Sequence, residues 1–136
     1  MLKNRSMPSS TVIPVLAYPD VDQAVEWLSK IFGFAVRLRI ASHRVQMNVG
    51  DGHMVVKEAR GKSPDATHSV MVRVEDVHQH HAHAVKCGAR IVRPPEDYPY
   101  GERQYEVEDP GGHQWKFTQT LADVTPEDWG GTSVEL

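Results

Sequence analysis

DVDQAVEWLSKIFGF (residues 20–34) and DVHQHHAHAVKCGAR (residues 76–90) follow one plan. Both open with Asp-Val-x-Gln and both reach a glycine about a dozen residues later, Gly33 and Gly88. Asp20 and Asp76 stand where a carboxylate caps a helix by accepting from free N–H groups of its first turn. In the first copy Val21, Ala24, Val25, Leu28 and Ile31/Phe32 recur at helical spacing. Gly33 and Gly88 supply the stops, because a helix most easily ends on a residue that tolerates the left-handed conformation.

Working outward, each copy is preceded by a strand-like run, VIPVLAY (12–18) and HSVMVRV (68–74). Strands are expected after the first helix at about 34–40, 44–49 and 52–58, with Gly50-Asp51-Gly52 as a turn. After the second they are expected at about 89–93, 103–108 and 113–118, with Asp109-Pro110-Gly111-Gly112 as the last turn. A Gly-His pair opens the final strand of each copy, in GHMVVKE (52–58) and GHQWKFT (112–118). Self-similarity at this spacing implies two copies of one β-α-β-β-β unit, and antiparallel strands with a helix on one face make the class α+β. The expected organisation is a flexible N-terminal segment at 1–10, modules at 11–60 and 67–120, and a tail at 121–136, with 11–136 forming one compact domain. In the tail Thr125 caps a turn with Pro126 at its first position, and Trp129 is the expected anchor.

The bulk chemistry excludes several function classes. A net charge of −3 and no long Lys/Arg run argue against nucleic acid, whose binding is dominated by phosphate contacts. No apolar run of about 18 residues and no charged-then-apolar leader are seen, so neither membrane nor secretion is expected. The single cysteine, Cys87, rules out an intramolecular disulfide and reads as inert packing. The expected compartment is the cytoplasm. No Ser-His-Asp signature, Walker loop or dinucleotide fingerprint is present.

YPDVDQAVEWL (18–28), YGERQYEVEDPGGHQWKF (100–117) and their arrangement in paired modules resemble the vicinal oxygen chelate superfamily, the glyoxalase and bleomycin-resistance type, over about residues 11–120. The resemblance implies two βαβββ modules whose curved mixed sheets form a cup with the helices outside. It also implies a homodimer, with a metal site or a bound small molecule in the cup.

In metal-dependent relatives the resemblance implies four ligands from the first and last strands of the modules. Counting from the aspartates and the Gly-His pairs, those positions here are Ile13, Ser69, Val56 and Lys116. Two cannot ligate, a neutral serine is a poor ligand, and a protonated lysine repels a cation. No metal, no cofactor and no catalytic residue is therefore expected. Alternation sets Val70, Val72 and Val74 toward the helix and Ser69, Met71 and Arg73 toward the cup. Trp115 and Phe117 take the core, leaving Gln114, Lys116 and Thr118 for the cup.

The expected ligand-binding set follows from that register. Ile13, Val15, Ala17, Met54, Val56 and Met71 offer apolar surface. Glu58, Ser69, Arg73, Gln114 and Lys116 offer polar handles, a mixture suited to a small molecule. The proline-rich stretch RPPEDYPYGE (93–102) reads as a loop that covers the site or merely connects strands, and its Tyr98 and Tyr100 are placed to stack on a flat ligand. The four histidines at 78, 80, 81 and 83 do not converge on one ion when projected on a helix. His81, which aligns with Val25, is expected against the sheet, with His80 and His83 outward.

The expected function is a metal-free protein that binds and sequesters an organic, in particular an aromatic, molecule, rather than an enzyme. The alternative is a lyase, isomerase or dioxygenase with an atypical metal site drawn from Glu58, His68 or His113. A metal-buffering surface on the histidine helix is the third reading.

Overall fold

The computed structural model describes residues 2–59 and 68–133. Met1, the link 60–67 and the final residues 134–136 lie outside the described residues, so the module boundary and the ends of the expected terminal segments lie there too. The element order is β1 (Val15–Tyr18), α1 (Val21–Trp27), β2 (Ala35–Ile40), β3 (Arg44–Val49), β4 (Gly52–Glu58), β5 (Ser69–Arg73), α2 (Val77–Lys86), β6 (Arg90–Tyr98), β7 (Glu102–Glu108) and β8 (Gln114–Thr120). The fold is α+β, with two βαβββ units.

The chain divides into two compact units, Met1–Asp65 with Pro110–His113, and Ala66–Asp109 with Gln114–Leu136. The first holds a four-stranded sheet in the order β1-β4-β3-β2, and the second a sheet in the order β5-β8-β7-β6. In each, the first strand pairs in parallel with the last, and the remaining pairs are antiparallel. Among the described residues no helix is long and apolar enough to cross a membrane.

Both helices form for the same local reasons. The Asp20 and Asp76 carboxylates accept from Gln23 N and Gln79 N at 3.0 Å each. Gly33 and Gly88 follow the helical segments with φ of 78° and 79°, a conformation that costs a residue with a Cβ. The first helix exits through a wider π-helical turn, Leu28–Phe32, that buries Leu28, Ile31 and Phe32.

In the first unit the core is the face built by Leu16, Tyr18, Val45, Met47, Met54 and Val56, all buried, with α1 lying on β3 and β4. In the second unit Tyr105, Val107, Trp115 and Phe117 are buried, and α2 packs on β6, β7 and β8. The Trp115 indole donates to the buried Asp109 carboxylate at 2.9 Å, which satisfies a donor that burial otherwise penalises.

Two expectations change. The stretch 93–102 is largely strand, because β6 runs on through Tyr98 with register shifts on either side of Arg93. An edge strand tolerates Pro94 and Pro95, since its outer N–H groups have no ladder partner to lose. The N-terminal segment, expected to be flexible, is tied to the first sheet. Gln46 Nε2 donates to the Ser6 carbonyl at 2.9 Å, and Arg37 Nη2 donates to the carbonyls of Arg5 and Met7 at 3.0 and 3.1 Å. Arg37 also donates to Gln46, Ser10 Oγ bonds His53 Nδ1 at 3.0 Å, and Pro8 is buried.

Candidate functional site

The helix-free face of the second sheet is set by strand register. Residues paired across neighbouring strands share a face, so Ser69–Gln114–Glu108, Met71–Lys116–Glu106 and Arg73–Thr118–Gln104 form three rows across β5, β8 and β7. Sequence alternation placed Ser69, Met71, Arg73, Gln114 and Lys116 together, and the register brings these five onto one surface. It adds Gln104, Glu106 and Glu108, whose signal was the plain alternation of ERQYEVE (102–108).

Most charge on this face is already matched. Lys116 Nζ lies 3.3 Å from Glu106, which also faces Arg93 at 3.6 Å. Glu108 pairs with Arg90 at 3.1 Å and accepts from Gln114 Nε2 at 2.8 Å. A chain of hydrogen bonds closes the third row. Tyr100 OH donates to Gln104 at 3.0 Å, Gln104 Nε2 donates to Thr118 at 3.1 Å, and Thr118 Oγ1 donates to Glu102 at 2.6 Å. On the edge strand, Met71 is 58% exposed, and Arg73 is exposed and makes no ion pair among the described residues. At the end of β5 an open depression of about 520 Å³ is lined by Arg73, Val74, Glu75, Gln119 and Thr120.

Tyr98 ends β6 and Tyr100 lies in the turn that follows, their rings stacked on each other at 5.4 Å. The Trp129 ring meets Tyr100 at 5.3 Å and is 44% exposed. The tryptophan that the sequence marked as an anchor thus joins an aromatic group at one side of the face.

The first sheet departs from its expected register. Val15 pairs with Val55 and Ala17 with Lys57 on the helix-free face, whereas Val56 pairs with Leu16 and Glu58 with Tyr18. Met54 and Val56 are therefore core residues under α1, and Glu58 is exposed at the strand end on that same register. The reason is turn length. Gly52-His53 lies inside β4, after a two-residue turn at Gly50-Asp51, whereas Gly112-His113 lies within the longer turn 109–113. Counting from the Gly-His pairs slips by one residue, and one residue reverses every side chain. The true partner position of Lys116 is Val55, again a side chain that cannot ligate.

The histidine helix is also corrected. His80, not His81 alone, packs inward, with Nδ1 2.5 Å from Tyr105 OH and its ring 4.1 Å from Phe117. His81 meets the Tyr105 ring edge-on at 5.2 Å. Burial, with His78 nearby, holds His81 below the usual imidazole pKa, and burial pushes the Tyr105 phenol well up. His83 is exposed, with Nε2 3.6 Å from Cys87 Sγ.

The donor set at the positions where the resemblance implies a metal does not suit one. Ile13 and Val55 carry no donor, Ser69 is neutral, and Lys116 is a cation held by Glu106. His113 Nε2 is bound to the Ala17 carbonyl at 2.7 Å with its ring against Tyr18, a packing role within the first unit. His68 is exposed just ahead of β5. Among the described residues no three His, Cys, Asp or Glu side chains group in a way that would hold a metal ion.

Residues 11–117 match the family model described as Glyoxalase/Bleomycin resistance protein/Dioxygenase superfamily. No curated protein matches the chain at a significant level. Among solved structures, TioX from Micromonospora sp. ML1 is 36% identical with a TM-score of 0.70, over 85% of this chain and 100% of that one. A bleomycin resistance determinant encoded on the transposon Tn5 is 20% identical with a TM-score of 0.70, over 84% of this chain and 100% of that one. A glyoxalase/bleomycin resistance protein/dioxygenase from Nocardioides is 19% identical with a TM-score of 0.67, over 93% of this chain and 89% of that one. At such identities the last two matches speak for the fold alone.

Proposed function

The chain belongs to the glyoxalase/bleomycin resistance protein/dioxygenase superfamily, and from that premise we propose that it is a metal-free protein that binds and sequesters a small organic molecule. The observation that carries this reading is the donor set. Ile13, Val55, Ser69 and Lys116 stand at the strand positions where metal-dependent relatives are expected to place ligands, and Lys116 is already neutralised by Glu106. A hard or borderline cation needs carboxylate, imidazole or thiolate donors converging on it.

Sequestration asks less of a site than catalysis does. Apolar contact and a few oriented polar groups suffice, and the second sheet offers Met71, Arg73, Ser69 and Gln114 on its helix-free face, with Tyr98 and Tyr100 at its side. Val15 and Ala17 take the corresponding place on the first sheet. On the same reading the protein is a cytoplasmic homodimer with neither nucleic acid nor membrane as partner.

Native mass spectrometry of the untagged, dialysed protein tests this. The expected spectrum is a metal-free dimer, with any co-purified organic adduct giving the mass of a ligand. Stoichiometric metal that survives dialysis would overturn the reading and make the chain a metal-dependent lyase, isomerase or dioxygenase.

A further inference from the structure

We infer that the helix-free face of the first sheet is a peptide-binding surface, and that residues 4–10 fill it in cis as a tethered ligand. The partner it fits is a short peptide in which a tight turn is followed by proline, with the carbonyls of the turn facing the sheet.

Strand register places the receiving groups. Val15, Val55, Gln46 and Leu38 form one row across β1, β4, β3 and β2, and His53 pairs with Asn48 on the same side. Arg37 stands at the register shift beside Leu38. Arg37 Nη2 donates to the carbonyls of Arg5 and Met7, Gln46 Nε2 donates to that of Ser6, and Ser10 Oγ meets His53 Nδ1. Residues 5–10 therefore cross from β2 over β3 to β4 on the side that carries no helix. Gln46 and Val55 are only 3% and 4% exposed there, while Val15 and Lys57 stay exposed.

Arg37 and Gln46 together read carbonyls. Arg37 donates to Gln46 Oε1, which leaves the amide's NH2 group turned to the strap. A buried NH2 requires an acceptor, and a guanidinium offers donors only. A main chain presents several consecutive carbonyls to one side where it turns, and residues 4–7 do so. Met7 N donates to the Asn4 carbonyl at 3.2 Å, and Ser6 N donates to Asn4 Oδ1 at 3.0 Å. An Asn-led turn of this kind is held by local bonds, which lowers the entropy lost on docking. Pro8 follows directly, is buried and restricts the chain as it leaves the turn.

The strap is held as a ligand is held. Among the described residues none of 4–10 joins a strand ladder, and its bonds to the sheet all run through side chains of the sheet. Such bonds contribute little individually, because water competes for the same groups. Residues 2–7 are exposed, and Thr11 with Val12, which is 78% exposed, forms the tether to β1.

A peptide added in trans tests the inference. A fluorescein-labelled peptide of residues 2–11, LKNRSMPSST, is titrated by fluorescence anisotropy against the full chain and against full-length Pro8→Asp. That substitution puts a carboxylate where a buried ring sits and drives the strap off, with Arg37, Gln46 and His53 retained. The peptide is expected to bind Pro8→Asp saturably. It should bind the parent at least about tenfold more weakly, because the tethered copy competes at high effective concentration. Adding Gln46→Leu to Pro8→Asp should cost about tenfold, and a peptide that itself carries Pro8→Asp should not bind. Asn4→Ala with Ser10→Ala loosens the strap without an interior charge and should give the same pattern if Pro8→Asp does not fold. Equal binding to the parent and the opened variants overturns the inference. So does no saturable binding to variants that trypsin cuts faster than the parent after Lys3 and Arg5. If neither variant opens the strap to trypsin, it is a fixed part of the unit and the inference falls as well. None of these results touches the small-molecule reading, whose test is metal content.

Discussion

Trp115 and Asp109 show how a single polar pair is set into an apolar layer. The indole N–H is buried with the Phe117 and Val107 side, and the Asp109 carboxylate, also buried, accepts from it at 2.9 Å. Asp109→Ala removes that acceptor and should cost about 1–3 kcal/mol in urea unfolding. Asp109→Asn keeps an acceptor oxygen and should cost less; an equal loss in the two variants would show that the hydrogen bond is not what Asp109 contributes. His81 offers a second test at this scale. Its imidazole, against the Tyr105 ring and near His78, has a pKa below the ordinary value of about 6.5. The unfolded chain therefore takes up the proton first. The resulting stability is present above about pH 6.5 and declines as pH falls from there toward the folded-state pKa. His81→Phe keeps a ring beside Tyr105 without a titrating nitrogen. Its urea midpoint should fall less than that of the parent between pH 7 and pH 5, and equal slopes would refute the assignment.

Among the elements, the N-terminal strap and β6 depart furthest from their expected character. Neither has a hydrophobic period of its own. The strap is held by polar groups that belong to β2 and β3, with Arg37 and Gln46 reaching three backbone carbonyls of residues 5–7. Arg37→Met should loosen it while leaving both sheets intact. The expected outcome is faster tryptic cleavage after Lys3 and Arg5 at an unchanged urea midpoint. Unchanged cleavage would mean that Gln46, Ser10 and Pro8 hold the strap without Arg37. In β6 the ladder with β7 resumes at Glu96 after the two prolines, so pairing with a neighbour overrides a composition that by itself reads as loop.

For the molecule as a whole, chain order and compact units do not coincide. Residues 110–113, the turn between β7 and β8, fold with the first unit. There His113 bonds the Ala17 carbonyl at 2.7 Å and its ring lies tilted against Tyr18, 4.7 Å between centroids. Gly111 permits that approach, since a Cβ on it would stand 2.6 Å from Tyr18 Cδ1. A fragment of residues 1–65 therefore lacks part of its own core covering. It should show no cooperative melting by circular dichroism, and His113→Ala in the full chain should lower the melting temperature. A fragment that melts cooperatively on its own would show that the turn is dispensable.

The sequence by itself determined the repeated βαβββ plan, both helix caps and stops, and the alternation of β5 and β8. Each of these rests on local physics, a carboxylate at a helix start, a glycine at positive φ, or a period of two along one strand. The Ser69, Met71, Arg73, Gln114 and Lys116 surface was legible for that reason. The tertiary structure alone decided the face of Met54, Val56 and Glu58, the inward turn of His80, the strand character of 93–98 and the docking of residues 4–10. Register depends on how many residues a turn spends before pairing begins, and Gly-His is strand in one copy and turn in the other. Helix azimuth and strap position depend likewise on partners far along the chain, such as Tyr105 for His80 and Gln46 for Ser6, which no local pattern encodes.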